Sequence, residues 1–171
     1  RQGFFIMSQL VLIAGVSRSG KSSLAKRLCA ELKNAKHLDQ DEFVKPESEI
    51  PTIKDRADWE TPESIDWAKW KEAIDQAKEN HKYVIAEGIF ALSDESLVRE
   101  ADLTILLSID KEEFVKRRKK ETRWGDEPTW FIEHVWHSHL KNHNPRSIKV
   151  DFELTEINSP LTTILGRLRR N

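Results

Sequence analysis

The chain has 171 residues and a formal net charge of −1; 38% of its residues are hydrophobic and 33% are charged. This length suits one domain with a sizeable core, and the balanced charge gives no overall field that would attract nucleic acid or an anionic membrane. No apolar run approaches the ~20 residues that a membrane-spanning helix requires, so we expect no membrane partner and a cytoplasmic location. The single cysteine, Cys29, excludes an internal disulfide framework, and its leucine-rich surroundings favour a buried thiol over a reactive one.

Two boundaries are expected along the chain. Residues 1–6 are too short for a signal peptide and precede Met7, so we interpret them as a cloning remnant. Residues 7–171 contain no repeat, low-complexity tract or linker, and we expect them to form a single domain. The sequence leaves the oligomeric state open.

The first predicted elements are a strand, a helix and a second strand. "QLVLIAG" is a compact apolar run that ends in Gly15, as expected for a buried parallel strand. The next segment places Leu24, Leu28 and Leu32 on one face of a helix. "KHLDQ" is a candidate for a short strand, and the proline-rich, charged segment "DEFVKPESEIPTIKDRADWETP" is typical of a long functional loop.

The second half of the chain continues the alternation of helices and strands. Pro62 is predicted to open a helix with an apolar stripe that includes Trp67 and Trp70. "YVIAEG" and "LTILLSI" read as buried strands, "KEEFVKRRKKETR" and "TWFIEHVWHSHLKNH" as helices, and "SIKVDFELTE" as a last strand. Ser159 and Pro160 then suit the start of a terminal helix. This alternation predicts an α/β sandwich of three layers with a parallel central sheet.

"LIAGVSRSGKSSLA" fits the phosphate-loop pattern G-x-x-x-x-G-K-[ST], between a predicted strand and a predicted helix. Glycines let backbone N–H groups converge on phosphate oxygens, and the helix N-terminus adds partial positive charge. Lys21 would reach the β- and γ-phosphates, and the Ser22 hydroxyl would ligate Mg²⁺. The predicted nucleotide contacts from this loop are Gly15, Val16, Ser17, Arg18, Ser19, Gly20, Lys21, Ser22 and Ser23.

The class of phosphate-loop protein is narrowed by what the chain lacks. It has neither an N-K-x-D nor a D-x-x-G motif, which argues against a GTPase switch, and it lacks the length of ring-forming ATPases. We therefore expect a P-loop NTPase-type fold that transfers a phosphoryl group to a small molecule. A regulatory protein that binds nucleotide without turnover is the alternative class.

Carboxylates follow several predicted strands, where ligands sit in open α/β sheets. Asp41 and Glu87 are candidates for contact with the acceptor and with Mg²⁺, and Glu42 either assists Mg²⁺ or faces solvent. For Asp110 we favour a structural role as the N-cap of the basic helix, with Glu113 at the capping-box position.

The run "KRRKK" at 116–120 is predicted to belong to a helical lid that spans about residues 116–130. Its alternatives are a solvated helix face and a nucleic-acid patch, and the net charge of −1 argues against the patch. Arg117 and Lys120 share a helix face, and Glu121 is spaced to pair with Arg117. An arginine from such a lid can neutralise charge that develops during transfer.

Four histidines of the following helix invite a metal-site interpretation. They lack a recognised zinc spacing, and "FIEHVWH" is not H-E-x-x-H, so surface or packing roles are favoured. The four are His134, His137, His139 and His143.

Several segments resemble nicotinamide riboside kinases, a family within the uridine kinase-like group of phosphate-loop nucleoside kinases. They are "GVSRSGKSSLAKRL", "QDEFVKPESEI", "DWETPESIDW", "IAEG" and "WFIEHVWHSHLK", in family order across most of residues 9–145. The resemblance implies a kinase that uses ATP and Mg²⁺ to phosphorylate the 5′-hydroxyl of a nucleoside. It implies Asp41 near that hydroxyl as base or orienter, Glu87 near Mg²⁺ through water, and Ser22 as the direct ligand.

The same resemblance implies the nucleoside site. Glu60 would accept hydrogen bonds from the ribose diol, Trp59 would stack on the base, and Trp130 would cover the other face. Core packing is the alternative for both tryptophans. Phe43 and Lys45, in the discriminating segment "QDEFVKPESEI", are further predicted substrate contacts.

The lid completes the implied active site. Arg117 and Arg118 are predicted to act in transfer, and Arg123 is predicted to contact the nucleotide. Where the family has tyrosine and aspartate, this chain has Trp59 and Glu60. The first expected acceptor is nicotinamide riboside, and a uridine or cytidine kinase on the same scaffold is the alternative.

Overall fold

The computed structural model describes residues 7–121, 125–155 and 160–170. The strands are β1 Gln9–Gly15, β2 Ala35–Asp39, β3 Thr52–Ile53, β4 Arg56–Ala57, β5 Tyr83–Glu87, β6 Leu103–Leu107 and β7 Phe152–Leu154. The helices are α1 Lys21–Glu31, α2 Trp67–Asn80, α3 Glu95–Glu100, α4 Lys111–Lys120, α5 Thr129–Asn142 and α6 Leu161–Arg170. Each strand and helix predicted from the sequence is present, although β7 has only three residues.

Five strands form one sheet in the order β2-β5-β1-β6-β7, and every pairing within it is parallel. A parallel sheet needs helices on both faces because its crossover connections run over them. Strands β1, β5 and β6 are buried throughout, which explains why they appear as continuous apolar runs. The parallel arrangement brings the carboxyl ends of β1, β2 and β5 to one edge, where ligands bind in such sheets.

Alternate residues of β1 face two separate cores. Leu10 and Leu12 pack in one cluster with Trp70 of α2, and Val11 and Ile13 pack in the other with residues of α1 and α6. The predicted three-layer α/β sandwich is therefore confirmed.

A third cluster joins α4 and α5 to the loop after β1. Phe114 of α4 and Phe131 and Val135 of α5 pack with Val16. The ring centroids of Phe114 and Trp136 lie 5.2 Å apart. Helices α4 and α5, which flank the predicted lid, are thus held beside the predicted phosphate loop.

The long loop after β2 contains regular structure that its composition does not predict. It contains the antiparallel pair β3–β4 and short 3₁₀ turns. The predicted helix start at Pro62 is wrong, because Pro62–Ser64 is one of these turns and α2 begins at Trp67. Ile65 between them is extended, and the Asp66 carboxylate accepts the Lys69 N–H and so caps the helix.

The structure tests the remaining predictions only in part. Ser159, the predicted N-cap of the last helix, lies outside them. None of the helices in the described part of the chain has the length and apolar composition needed to cross a membrane. The cytoplasmic location and the chain boundaries stay predictions.

Candidate active site

The loop between β1 and α1 is built around two glycines with different requirements. A Cβ on Gly15 would lie 2.6 Å from the Ser19 hydroxyl oxygen and 2.7 Å from the Leu107 carbonyl oxygen, so a side chain does not fit. Gly20 has a φ of 99°, in the left-handed region, and is the N-cap of α1. Because glycine has no side chain to cap the helix, the first N–H groups of α1 remain available to an anion.

Lys21 and Ser19 add polar groups inside this loop. Lys21 is buried, and its Nζ donates to the Val16 carbonyl oxygen at 3.1 Å. Burial lowers the pKa of Lys21, whereas the Glu87 and Asp41 carboxylates act in the opposite direction. The buried Ser19 hydroxyl has no hydrogen-bond partner among the described residues. The backbone N–H groups of the loop, the Lys21 ammonium and the Ser19 hydroxyl are all donors that suit a bound phosphate.

Glu87, at the end of β5, connects this loop to the neighbouring strands. Its Oε1 accepts from the Ser22 hydroxyl at 2.7 Å and lies 3.1 Å from Nε2 of His37 on β2. Burial raises the pKa of Glu87, but the hydrogen bonds from His37 and Ser22 and the charge of Lys21 outweigh it and hold the pKa below its usual value. Glu87 is therefore ionised, and His37 is a member of the site that the sequence did not reveal.

Asp39 and Asp41 lie at the end of the adjacent strand β2. Asp39 pairs in register with Glu87, and its Oδ1 accepts the Asp41 N–H at 2.9 Å. Desolvation raises the pKa of Asp41 although its side chain remains accessible to solvent; Lys21 lowers that pKa and Glu87 raises it. No sequence motif had indicated a role for Asp39. Glu42 is exposed, as one of its two interpretations expects.

Gln40 fixes the turn that carries Asp41. Its side chain is fully buried, and its Oε1 accepts the Phe90 N–H at 3.0 Å. A Cβ on Gly88 would lie 2.4 Å from Cβ of Gln40, so glycine is required for this close approach. The contact sets Asp41 relative to Glu87, which precedes Gly88. Gln40 was missed by sequence reasoning; the glycine after Glu87 in "IAEG" was the only signal for a close approach there.

The predicted nucleoside-binding acid, Glu60, is affected by charged groups from other parts of the site. Burial raises its pKa to about 7; Arg118 lowers that pKa, while Asp58 and Asp41 raise it. The charges of the predicted base, Asp41, and of the predicted lid residue Arg118 thus both act on the predicted diol acceptor. Trp59 is 38% exposed, so its ring is not a core residue.

A hydrogen-bonded group behind Glu60 was not anticipated. Oδ1 of Asp58 accepts the Glu60 N–H at 3.1 Å and lies 2.8 Å from Nε2 of His134 on α5. The Ser138 hydroxyl, one turn further along α5, donates to the Glu60 carbonyl oxygen. The chain segments are more than 70 residues apart, so no local pattern indicated this contact.

The other histidines of α5 differ in environment. Burial, with a smaller effect of His143, lowers the pKa of His139 to about 3, which makes it neutral. Its ring packs at a tilt against those of Trp136 and His143, with centroids 5.4 and 4.4 Å away. His137 is exposed. Within the residues that the structure describes, no group of three or more acidic, histidine or cysteine side chains is arranged to hold a metal.

Two of the three predicted lid arginines, Arg117 and Arg118, reach the phosphate loop. Arg117 donates from Nη1 to the Arg18 carbonyl oxygen at 2.7 Å, and its Nε pairs with Glu113 at 2.8 Å. Arg118 donates from Nη1 to the Ser17 hydroxyl at 2.8 Å. This contact holds the end of α4, where the predicted lid begins, against the loop.

Acidic residues orient these arginines. Glu127 binds the Arg118 guanidinium in bidentate fashion, at 2.6 and 2.7 Å, and Glu121 pairs with Arg18. A depression of about 310 Å³ is lined by Arg18, Arg117, Lys120 and Glu121. Arg123 lies outside the described residues.

Helix α4 itself begins as predicted. The Asp110 carboxylate accepts the Glu113 N–H at 2.7 Å, which confirms its interpretation as an N-cap.

The remaining predicted substrate contacts have neighbours of their own. Trp130 is partly buried, and Nζ of Lys54 lies 3.9 Å from its ring centroid. Phe43 packs edge-on against Trp70, with centroids 5.2 Å apart. Lys45 donates its backbone N–H to the Ser64 carbonyl oxygen at 2.8 Å. Their roles toward a substrate stay predictions.

Comparison with known proteins gives this geometry a family. No protein-family model matches the chain. Human nicotinamide riboside kinase 1 is 31% identical over 149 residues, which cover 77% of this chain and 75% of that protein. Nicotinamide riboside kinase of Saccharomyces cerevisiae is 23% identical, covering 84% and 81% of the two chains, and uridine kinase of Ureaplasma parvum is 26% identical, covering 64% and 66%.

A solved structure agrees at the level of the fold. Shikimate kinase from Aquifex aeolicus superposes with a TM-score of 0.55 at 18% identity, over 94% of this chain and 96% of that chain. The fold is thus that of the P-loop kinases, and the similarity to the human relative extends over three quarters of both proteins. The chain belongs to the nicotinamide riboside kinase family, and it is a nucleoside kinase.

Proposed function

We propose that this protein transfers the γ-phosphoryl group of Mg²⁺-bound ATP to the 5′-hydroxyl of nicotinamide riboside, forming nicotinamide mononucleotide. Family membership supports the reaction. One observation carries the assignment of the site: the Ser22 hydroxyl of the phosphate loop donates to Glu87 at 2.7 Å, and Glu87 pairs in register with Asp39, whose Oδ1 accepts the Asp41 N–H at 2.9 Å. The loop is thus linked through Glu87 to the turn that carries Asp41, and phosphoryl transfer to an alcohol needs a carboxylate close to the bound phosphates.

The residues of the loop fit ATP and Mg²⁺. Two features suit the phosphates besides the buried Lys21: among the described residues, the start of α1 has no side-chain cap and the Ser19 hydroxyl has no hydrogen-bond partner. Ser22 and Glu87 present neighbouring oxygen donors, the type that Mg²⁺ prefers. ATP would supply the transferred group, and Mg²⁺ would neutralise charge on it.

Asp41 would orient the acceptor and take its proton. As the 5′-oxygen forms its bond to phosphorus and the bond to the β-phosphate oxygen breaks, the hydroxyl proton passes to the Asp41 carboxylate. A raised pKa suits this role because it makes the carboxylate a better base. Glu60 would accept hydrogen bonds from the ribose diol, and the accessible ring of Trp59 would stack on the nicotinamide.

Arg117 and Arg118 would close the site from the lid. Both contact the phosphate loop, which supports a role for their guanidinium groups beside the transferred phosphate. Closure would exclude water and so limit hydrolysis of ATP. These contacts also favour a lid over a nucleic-acid surface for the basic run of α4.

A uridine or cytidine kinase is the second candidate. The similarity to the uridine kinase of Ureaplasma parvum favours it, and stacking on Trp59 accepts several bases. Both candidates share the donor site and Asp41, so only the acceptor distinguishes them.

The test is ADP release in a coupled assay with Mg²⁺ and ATP, using nicotinamide riboside, uridine, cytidine or no acceptor. We expect the highest kcat/KM with nicotinamide riboside and little ADP release without acceptor. A preference for uridine or cytidine would replace the first candidate by the second. ATP binding without acceptor-dependent turnover would contradict both.

A further inference from the structure

We propose that His134 and Asp58 are positioning residues that hold Glu60 in place for nucleoside binding. The inference rests on the proposed function, because it assigns Glu60 to the ribose diol. It adds a connection from helix α5 to the loop that carries Glu60, and neither the sequence motifs nor the resemblance indicates this connection. Neither residue is a catalytic residue in this proposal, since both act through Glu60.

One carboxylate oxygen makes the connection. Oδ1 of Asp58 accepts the Glu60 N–H at 3.1 Å and the Nε2 of His134 lies 2.8 Å from the same atom. A carboxylate only accepts, so Nε2 of His134 carries the hydrogen of this bond. His134 therefore fixes the oxygen that in turn fixes the backbone of Glu60.

The hydrogen bond between His134 and Asp58 is partly shielded from water, and the helix that carries His134 is well anchored. The side chains of His134 and Asp58 are 24% and 16% exposed, which limits competition from water. Helix α5 is itself anchored in the cluster of Phe114, Phe131 and Val135 beside the phosphate loop. A rigid helix thus carries the group that positions a loop residue.

Helix α5 also holds the loop at two neighbouring points. Ser138 donates to the Glu60 carbonyl oxygen, and the Arg56 guanidinium lies 5.0 Å from the ring centroid of Phe131. These contacts keep the loop attached when His134 is changed, so its removal is expected to loosen Glu60 rather than unfold the loop.

Charge acts in the same direction as geometry. Burial raises the pKa of Glu60 most and Asp58 raises it further, while Arg118 and, to a smaller extent, His134 lower it. Loss of His134 would leave Glu60 both less ordered and less ionised. Each change weakens hydrogen bonds from a ribose diol.

The experiment compares the wild type with His134→Ala, His134→Gln and the control His137→Ala, which changes an exposed histidine on the same helix. Steady-state kinetics with ATP and nicotinamide riboside separate the two Michaelis constants. We expect His134→Ala to raise KM for the nucleoside about tenfold, with KM for ATP unchanged and a smaller change in kcat. His134→Gln, whose amide N–H₂ donates at a similar position, should recover most of the loss, and His137→Ala should behave as the wild type.

A double variant tests whether the two residues act as one unit. In an Asp58→Ala background, His134→Ala should add little further increase in KM, because the atom it acts through is already gone. Full additivity of the two effects would overturn the pairing. Thermal unfolding of each variant identifies a loss of folding. Where His134→Ala does not fold, Asp58→Ala alone decides: it removes the oxygen that both contacts share and should raise KM for the nucleoside, and an unchanged KM would overturn the inference.

The outcomes separate this inference from the proposed function. If the wild type phosphorylates nicotinamide riboside but His134→Ala and His134→Gln keep its KM, the inference is wrong and the function stands. Equal increases in KM for ATP and nucleoside also overturn it, because they indicate general damage to the site. If the wild type phosphorylates no nucleoside, the proposed function fails and the role of the pair fails with it.

Discussion

The two ends of the candidate active site are built in different ways. The proposed phosphate end is one continuous stretch, residues 15–22, completed by Glu87 on a neighbouring strand. The proposed acceptor wall takes Asp41 from a turn after β2, Glu60 from a loop and His134 from α5. The first is set by local backbone conformation and the second by contacts between distant segments.

This difference predicts which changes affect which substrate. A substitution at the phosphate end should impair transfer to every acceptor, because each reaction uses the same donor. A substitution in the acceptor wall should alter nucleoside binding and leave ATP binding intact. Asp41 lies where the two ends meet, and its loss should have the largest effect of all.

Asp41→Asn is expected to lower kcat by about 10²–10⁴-fold, because the variant keeps the size of the side chain but loses its ability to take the proton. Affinity for ATP, measured by calorimetry, should stay within about twofold of the wild type. Glu42→Gln is the matched control: Glu42 is the next residue and is exposed.

Two results would break this part of the comparison. If Glu42→Gln lost as much activity as Asp41→Asn, the acid that assists transfer would be assigned to the wrong position. If Asp41→Asn lost ATP binding as well as turnover, Asp41 would belong to the phosphate end.

Lys21→Met is expected to lower kcat/KM for ATP by about 10²–10³-fold, since a buried charged donor to the phosphates is removed. The factor should be the same with nicotinamide riboside and with uridine wherever both are substrates. Lys26→Met, the same change at an exposed position of the same helix, should have no effect. A loss that depended on the nucleoside would contradict the separation of the two ends.

The phosphate end could be predicted from the sequence because its geometry is local. A close approach requires glycine at position 15, and a positive φ requires it at position 20. The two positions are only a few residues apart. The buried strands were equally clear because both faces of a parallel sheet are covered, so β1, β5 and β6 are continuous apolar runs.

The acceptor wall could be predicted only in part. The resemblance supplied Asp41 and Glu60, but Gln40, Asp58 and His134 depend on contacts that no periodicity encodes. The predicted helix start at Pro62 was wrong for a related reason. Proline suits the first turn of a 3₁₀ helix as well as that of an α-helix, and the cap at Asp66 determines where α2 begins.

The smallest expected effect concerns the charge of Glu60. Because its pKa is raised to about 7, the carboxylate that would accept from the ribose diol is lost as the pH falls from 8 to 6. KM for nicotinamide riboside should therefore rise about tenfold over this interval, following the protonation of one group. In Glu60→Gln the KM should be higher at pH 8 and nearly independent of pH.

The same group gives a check that needs no substrate. The pKa of Glu60 is higher in the folded protein than the ordinary value of 4.5, so folding binds a proton between pH 4.5 and 7. Stability that this group contributes is fully present below pH 4.5 and is lost as the pH rises through 7. Glu60→Gln should thus raise the Tm relative to the wild type at pH 8 and not at pH 5, whereas Glu49→Gln, an exposed control on the same long loop, should do neither. An equal gain at both pH values would mean that the packing of Glu60, rather than its ionisation, limits stability at this position of the acceptor wall.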